Sequence, residues 1–279
     1  MKRILVTYAS RRFRRSQQQL LASARRFGLE VRPWDHTMLA STDFYRENRS
    51  ILDLSRGNGY WIWKPFIIQQ ELSQLAEDDI LIYCDAGVEI VADVSPLVEL
   101  ALDKRDLLLF AGNVDLTGGG LGDTCGEWTK RDCFVLMDAD EPSYHQAQML
   151  DASFLVLRNR GITPELVCEW QEYCSRAQAV TDQPNACGLP NLPGFIDHRH
   201  DQSVLSLLAV RYGVETFRSA SQLGNHMKLE QYRVPGEWLS QPYGSRGVFG
   251  NSPYPTLLDH HRSKARLPMV WLWRLFGIR

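Results

Sequence analysis

Residues 57 to 90 read "GNGYWIWKPFIIQQELSQLAEDDILIYCDAGVEI". Pro65 is a helix-start signal, because a proline in the first turn loses no needed hydrogen bond. The helix is expected to run to about Ala76. "DILIYCD" then reads as a short, continuously apolar strand ending in Asp85-Ala86-Gly87. A helix feeding a strand that is apolar on both faces is the signature of a sheet covered by helices on both sides.

The same alternation extends outward. "KRILVTY" (2–8) reads as a first strand, Ser16 to Phe27 as a helix stopped by Gly28, and "LEVRPW" as a second strand, followed by a polar region over 35–59. Ser95 caps a helix over Pro96 to Leu102, and "DLLLFAG" is another strand. After a glycine-rich loop (112–130), "DCFVLM" and "ASFLVLRN" read as strands separated by "PSYHQAQML". Thr163 caps a helix from Pro164 to about Ala179, the second half of "DHRHDQSVLSLLAVRYG" is a helix ended by Gly213, and "VETF" is a late strand. The pattern predicts an α/β fold with a mostly parallel sheet flanked by helices. No GxxxxGK[ST] and no GxGxxG after the first strand occurs, so the phosphate loops of those motifs are excluded.

The 279 residues carry a net charge of −2, which gives no global case for nucleic acid. The charge is uneven: residues 1–33 hold nine Lys/Arg against Glu30, and 262–279 hold five against no acid. Such ends attract anions, whether a nucleotide, an anionic acceptor or an anionic lipid surface. Six cysteines without a CxxC read as buried thiols of a reducing, cytoplasmic compartment, Cys84, Cys168 and Cys174 among them. The opening residues read as a strand rather than a signal peptide.

In open α/β sheets ligands bind outside the carboxyl ends of the strands. Asp85 sits there, with small Ala86 and Gly87 leaving room. Its carboxylate suits a metal on a diphosphate, a ribose or sugar hydroxyl, or simply a turn. Lys64, at a helix start, adds a point charge for phosphate. Tyr60, Trp61 and Trp63 serve either the core or a stacking wall. Asp138-Ala139-Asp140, after the apolar run "CFVLM", is a second-ranked acidic site. In "HRHDQS", Asp201 reads as a helix N-cap for "QSVLSLLAVRY".

Taken together, "GYWIWKP", "DILIYCDAG", "WTKRDCFVLM" and "DHRHDQSVLSLLA" resemble a bacterial family of GT-A-like glycosyltransferases tied to surface-polysaccharide synthesis. The resemblance implies a GT-A-like, Rossmann-like domain over about 1–265, with a nucleotide half to about 111 and an acceptor half from 112. It implies transfer from a nucleotide-diphosphate sugar to a glycan or lipid-linked acceptor of lipopolysaccharide or capsule. Asp85 takes the place of the first aspartate of the family's Asp-x-Asp motif, but Gly87 stands where the second belongs. That departure weakens the Mn²⁺ or Mg²⁺ site the family pattern implies, unless Glu89 or His226, in "GNHMK", supplies a ligand. The same resemblance puts Thr7 and Tyr8 at the nucleotide base, Gln148 and Ser153 near the donor sugar or acceptor, and Asp201-Gln202 near the reacting sugar, with Asp201 the carboxylate that takes the acceptor proton and His200 the weaker alternative base. The tail from 266, with "PMVWLWRLFGI", suits either a helix lying on the inner face of a membrane or a segment docked against the domain's own core. Without the second aspartate, the alternative is a non-catalytic polysaccharide- or lipid-binding protein on a degenerate transferase fold.

Overall fold

The computed structural model describes residues 1–111, 123–221 and 251–260. The first half builds β1 (Arg3–Ala9), α1 (Arg14–Arg26), β2 (Glu30–Asp35), the short helices α2 (His36–Ala40), α3 (Asp43–Glu47), α4 (Arg49–Leu52) and α5 (Gly57–Tyr60), then α6 (Trp63–Leu72), β3 (Ile80–Cys84), β4 (Val88–Ile90), α7 (Ser95–Leu100) and β5 (Leu107–Ala111). The second half adds α8 (Cys125–Trp128), α9 (Arg131–Leu136), α10 (Pro142–His145), β6 (Leu150–Arg158), α11 (Thr163–Cys174), α12 (Ala177–Val180), α13 (Asp201–Arg211), β7 (Thr216–Phe217) and β8 (Leu258–His260).

Six strands form one sheet in the order β2-β1-β3-β6-β5-β7. β1 pairs in parallel with β2 and β3, and β5 with β7, while β6 is antiparallel to both β3 and β5. Every strand but β6 therefore runs the same way, and the mostly parallel α/β expectation holds. The carboxyl ends of β1, β2 and β3 line one edge, which brings Ser10, Asp35 and Asp85 to the same side of the sheet. β1, β3 and β5 are buried almost throughout, as strands covered on both faces must be. α1 covers one face through Gln17, Leu20, Leu21 and Ala24, positions that share one side of a helix, and it ends at Gly28 with φ 76°. The other face carries α6, α11 and α13, packed around Trp170. β4 and β8 form a separate antiparallel pair that sets Val88 opposite His260.

Several elements differ from the reading of the sequence. "DCFVLM" is helix α9, not a strand. A short apolar run has no period that separates a buried strand from a buried helix turn, and here Cys133, Phe134 and Met137 are buried while Val135 is exposed. The polar stretch 35–59 is a chain of short helices, two of them capped by Asp35 on Met38 N–H and Thr42 on Tyr45 N–H. α6 begins at Trp63, two residues before Pro65. α7 and α11 begin at Ser95 and Thr163 themselves, and α11 stops at Cys174. Cys168 is exposed, not buried. The glycine-rich segment 112–122, His226 and the tail 266–279 lie outside the described residues, among which no helix is long and apolar enough to cross a membrane.

One buried carboxylate fixes the long segment that leads to α13. Asp132 is 1% exposed and accepts from the backbone N–H groups of Ala186 and Cys187 at 2.8–2.9 Å. Lys130 Nζ lies 3.5 Å away and donates to Gln183 O. Burial pushes the Asp132 carboxyl up, but those N–H groups and Lys130 outweigh it and hold its pKa below the ordinary value. Its contribution is therefore present above the unfolded-state pKa near 4 and is lost as pH falls through the folded value. Asp132→Ala leaves Lys130 buried and unpaired and is expected to cost about 3 kcal/mol, read as a fall in thermal midpoint at pH 7 that shrinks below pH 4. An unchanged midpoint contradicts this assignment.

Candidate active site at the carboxyl end of β3

Lys64 lies in the first turn of α6, yet its side chain points inward and the residue is 3% exposed. Nζ donates to Ala152 O at 2.9 Å, lies 3.0 Å from Asp201 Oδ2 and 3.5 Å from Asp85 Oδ1, and sits 5.4 Å from the centroid of the Tyr83 ring. Burial works against the ammonium, but Asp201 and Asp85 outweigh it and keep its pKa above the ordinary lysine value. Asp201 is the opposite partner. Burial pushes its carboxyl up to about 6 against the pull of Lys64. At neutral pH the pair is ionised, and Asp201 Oδ2 makes no well-aligned hydrogen bond despite its closeness to Nζ.

Asp85 is the accessible member, its side chain 35% exposed. Its N–H donates to Ser153 O at 2.8 Å, and Tyr83 donates its hydroxyl to Oδ1 at 2.6 Å. Tyr83 and Asp85 are two residues apart, the spacing that shares one side of a strand. Asp151 stands nearby on β6. It accepts from Ser153 N–H and Oγ–H at 2.8 Å, and its Oδ2 lies 4.0 Å from His260 Nε2. The register of β6 against β5 shifts between Leu108 and Phe110, and such an irregularity bends a strand locally. Here it falls where β6 carries Ala152 and Ser153.

The third arm is the segment before α13. His198 and His200 are both buried, with ring centroids 5.1 Å apart. His198 Nε2 lies 2.8 Å from Ala179 O, while Nδ1 accepts from Lys130 N–H. His200 Nδ1 lies 2.7 Å from Val180 O. A carbonyl only accepts, so the His200 proton is on Nδ1, and Nε2 is a buried lone pair without a partner. Burial lowers the pKa of both rings and keeps them neutral. His200, not Asp201, is the N-cap residue of α13, with φ 55°. Asp201 is the first helical residue, and Trp170 Nε1–H donates to its carbonyl at 2.8 Å.

The structure thus brings Lys64, Asp85, Asp201 and Ser153 together, with buried Ala86, half-buried Gly87 and half-buried Gln202 beside them in sequence. Thr7 and Tyr8 close β1, and their hydroxyl oxygens are buried without a hydrogen-bond partner. Gln148 spends its amide N–H groups on Asp123 O and Met149 O. Asp138-Ala139-Asp140 is not a strand-end motif. It follows helix α9, and Asp140 is held by Arg131 and His145. Glu89 is buried and bound by Gln19, so it does not stand in for the missing aspartate. Among the described residues no group of three or more His, Cys, Asp or Glu side chains is placed to hold a metal.

Sequence reasoning passed over Tyr83, Asp151 and Trp170. Tyr83 carried a usable signal, the two-residue spacing to Asp85. Asp151 had none, because only the fold brings β6 beside β3. Lys64 was singled out as a phosphate-facing cation, but its ammonium is buried behind Asp85.

No family model matches this chain, and no curated protein matches it by sequence. Solved glycosyltransferase structures resemble it in fold. The apo form of GlyE from Streptococcus pneumoniae TIGR4 is 13% identical over 100% of this chain and 64% of that one, with a TM-score of 0.47. The galactosyltransferase LgtC, in complex with donor and acceptor sugar analogues, is 14% identical over 98% and 94%, with a TM-score of 0.46. The bifunctional glycosyltransferase WbbM, also in apo form, is 10% identical over 94% and 46%, with a TM-score of 0.51. This chain therefore spans just under two thirds of the GlyE structure and less than half of WbbM.

Lys64 holds the Asp201 carboxyl down against its burial, so Lys64→Met is expected to raise the Asp201 titration midpoint from about 6 to a higher pH. A raised carboxyl contributes stability at low pH that is lost as pH rises through the folded value. The variant should therefore lose more stability relative to wild type at pH 8 than at pH 5. Carbon-13 NMR of aspartate carboxyls and denaturant unfolding at the two pH values check this, and an equal loss at both contradicts it.

Proposed function

We propose that the chain is a glycosyltransferase that takes a nucleotide-diphosphate sugar and passes the sugar to a glycan or lipid-linked acceptor of a bacterial surface polysaccharide. The observation that carries this reading is the constellation at the carboxyl end of β3: a half-exposed carboxylate, Asp85, backed by a buried Lys64–Asp201 ion pair. That edge is where open α/β sheets hold ligands.

In this reading Asp85 accepts a hydrogen bond from a donor hydroxyl, ribose or sugar, because a bare carboxylate repels a diphosphate. Tyr83 and Lys64 orient it. Thr7 and Tyr8, near the carboxyl end of the neighbouring strand β1, are assigned to the nucleoside side of the site. Diphosphate charge is met by the exposed arginines Arg11, Arg12, Arg14 and Arg15, which follow β1 on the same edge. Gln202 and Ser153 line the sugar side. Asp201, buried behind Lys64, serves as its counter-ion and holds the ammonium in place. Mn²⁺ or Mg²⁺ would need ligands beyond Asp85, and His226 lies outside the described residues. The site would work in the cytoplasm, with the segment from 266 lying on the membrane that carries the acceptor.

The test is nucleotide release from UDP-, GDP- and CDP-sugars, with and without Mn²⁺ or Mg²⁺. Release from one donor class is expected, with Asp85→Asn lowering the rate by about 10²-fold or more, as removal of a preorganised polar group does. Sugar affinity without nucleotide release identifies a binding protein, and no release from any donor overturns the transferase reading.

A further inference from the structure

Two stretches of backbone in the left-handed region meet beside the Lys64–Asp201 pair. The first is a run of five residues, Gly57 (φ 60°), Asn58 (53°), Gly59 (91°), Tyr60 (51°) and Trp61 (59°). Glycine and asparagine tolerate this region, but for bulky Tyr60 and Trp61 it is costly. The second is His200, at φ 55° and ψ −119°. Such conformations persist only where the surroundings over-determine them, and they concentrate at functional sites.

Here the surroundings are each other. The Trp61 ring stacks on the His200 ring at 5.4 Å and 20°, and the Tyr60 ring tilts onto it at 4.9 Å. Gly57 packs against the Trp61 ring so closely that a Cβ would lie 2.3–2.6 Å from three of its carbons. Tyr60 donates its hydroxyl to Asp182, and Arg56 bridges Asp182 and Asp197, which ties the outer ends of the two stretches. On the inner ends, Trp61 O accepts from Lys64 N–H at 2.9 Å, and His200 is followed directly by Asp201.

We propose that Trp61 and His200 form a ring clamp that positions the Lys64–Asp201 pair. Trp61 is wedged between Gly57 and His200, so it is a positioning residue and not a platform for a sugar. His200 is likewise a positioning residue. Its Nδ1–H is fixed on Val180 O and its Nε2 is buried, so it sets where α13 starts and does not serve as a base. The two strained arms come from segments about 140 residues apart, and the stack makes one ammonium and one carboxylate arrive in register. Only the kinetic arm of the test rests on the transferase reading.

The test is a double-mutant cycle of Trp61→Ala and His200→Ala, with Trp61→Phe as the conservative variant and circular dichroism confirming folding. The first readout needs no substrate: the rate at which acetic anhydride acetylates Lys64, followed by mass spectrometry. Each alanine variant is expected to raise that rate about tenfold or more, with the double variant adding no more than about threefold and Trp61→Phe staying near wild type, because residues acting as one unit are not additive. The second readout is turnover with whichever UDP-, GDP- or CDP-sugar the wild type consumes. There kcat is expected to fall about tenfold or more, with the donor KM within about threefold, since misplacement of a site carries that cost. Should Trp61→Ala fail to fold, Gly57→Ala displaces the same ring and takes its place. Additive effects, or a Lys64 that stays protected in a folded Trp61→Ala protein, overturn the clamp. If no donor turns over in wild type while the Lys64 readout shows the coupling, the transferase reading fails and the clamp stands.

Discussion

A buried ammonium is the constraint around which the rest of this molecule is arranged. Lys64 is almost inaccessible to solvent, and an unpaired charge in that position costs several kcal/mol. The fold offsets this with the Asp201 carboxylate, the Asp85 carboxylate, the Ala152 carbonyl and the Tyr83 ring. These groups come from α13, the end of β3, β6 and β3. One side chain therefore joins both halves of the chain, and removing either member of the pair exposes an uncompensated charge. The surface pair Arg49–Asp53 is of another kind. Exposed pairs of that sort contribute about 0–1 kcal/mol and organise nothing beyond their own helix turn.

The sheet explains why this charge cluster sits at an edge rather than in the middle of the core. β1, β2 and β3 end together, so Thr7, Tyr8, Asp35 and Asp85 gather along one line. Antiparallel β6, inserted between β3 and β5, brings Asp151 and Ser153 to the same end from the opposite direction. Lys64 then stands behind Asp85 rather than beside a ligand. It orients the carboxylate that solvent reaches, while Asp201 keeps the ammonium charged. The polar layering is ordered from core to surface: Trp170 under Asp201, Asp201 on Lys64, and Lys64 on Asp85.

Much of this was legible before any coordinates. Continuous apolar runs bounded by turn residues identify β1, β3 and β5, because strands covered on both faces have no polar side. Lys64, Asp85 and Asp201 stand out because each is a charge set next to an apolar segment or helix start. What a linear reading misses is anything that depends on what packs opposite. "CFVLM" has the composition of a strand but lies in helix α9, where exposed Val135 is apolar as well, so the helical face of Cys133, Phe134 and Met137 leaves no period in the sequence. The inward direction of Lys64 is hidden in the sequence for a similar reason. A lysine at a helix start looks solvent-facing until the fold puts two carboxylates inside the molecule for it to meet. Gly57-Asn58-Gly59 carries a local signal for left-handed backbone, but that Tyr60 and Trp61 continue it follows only from the ring of His200.

The account stands most directly on whether the open end of this charge cluster receives a nucleotide. Isothermal titration calorimetry of UDP, GDP, CDP and their sugars, against the wild type and Asp85→Ala with and without Mn²⁺, measures that. The account predicts saturable binding of one nucleotide class to the wild type, with the sugar-bearing form losing at least about tenfold in affinity, or 1.4 kcal/mol, in the variant. Absence of binding across the panel, or equal affinity in both proteins, contradicts it.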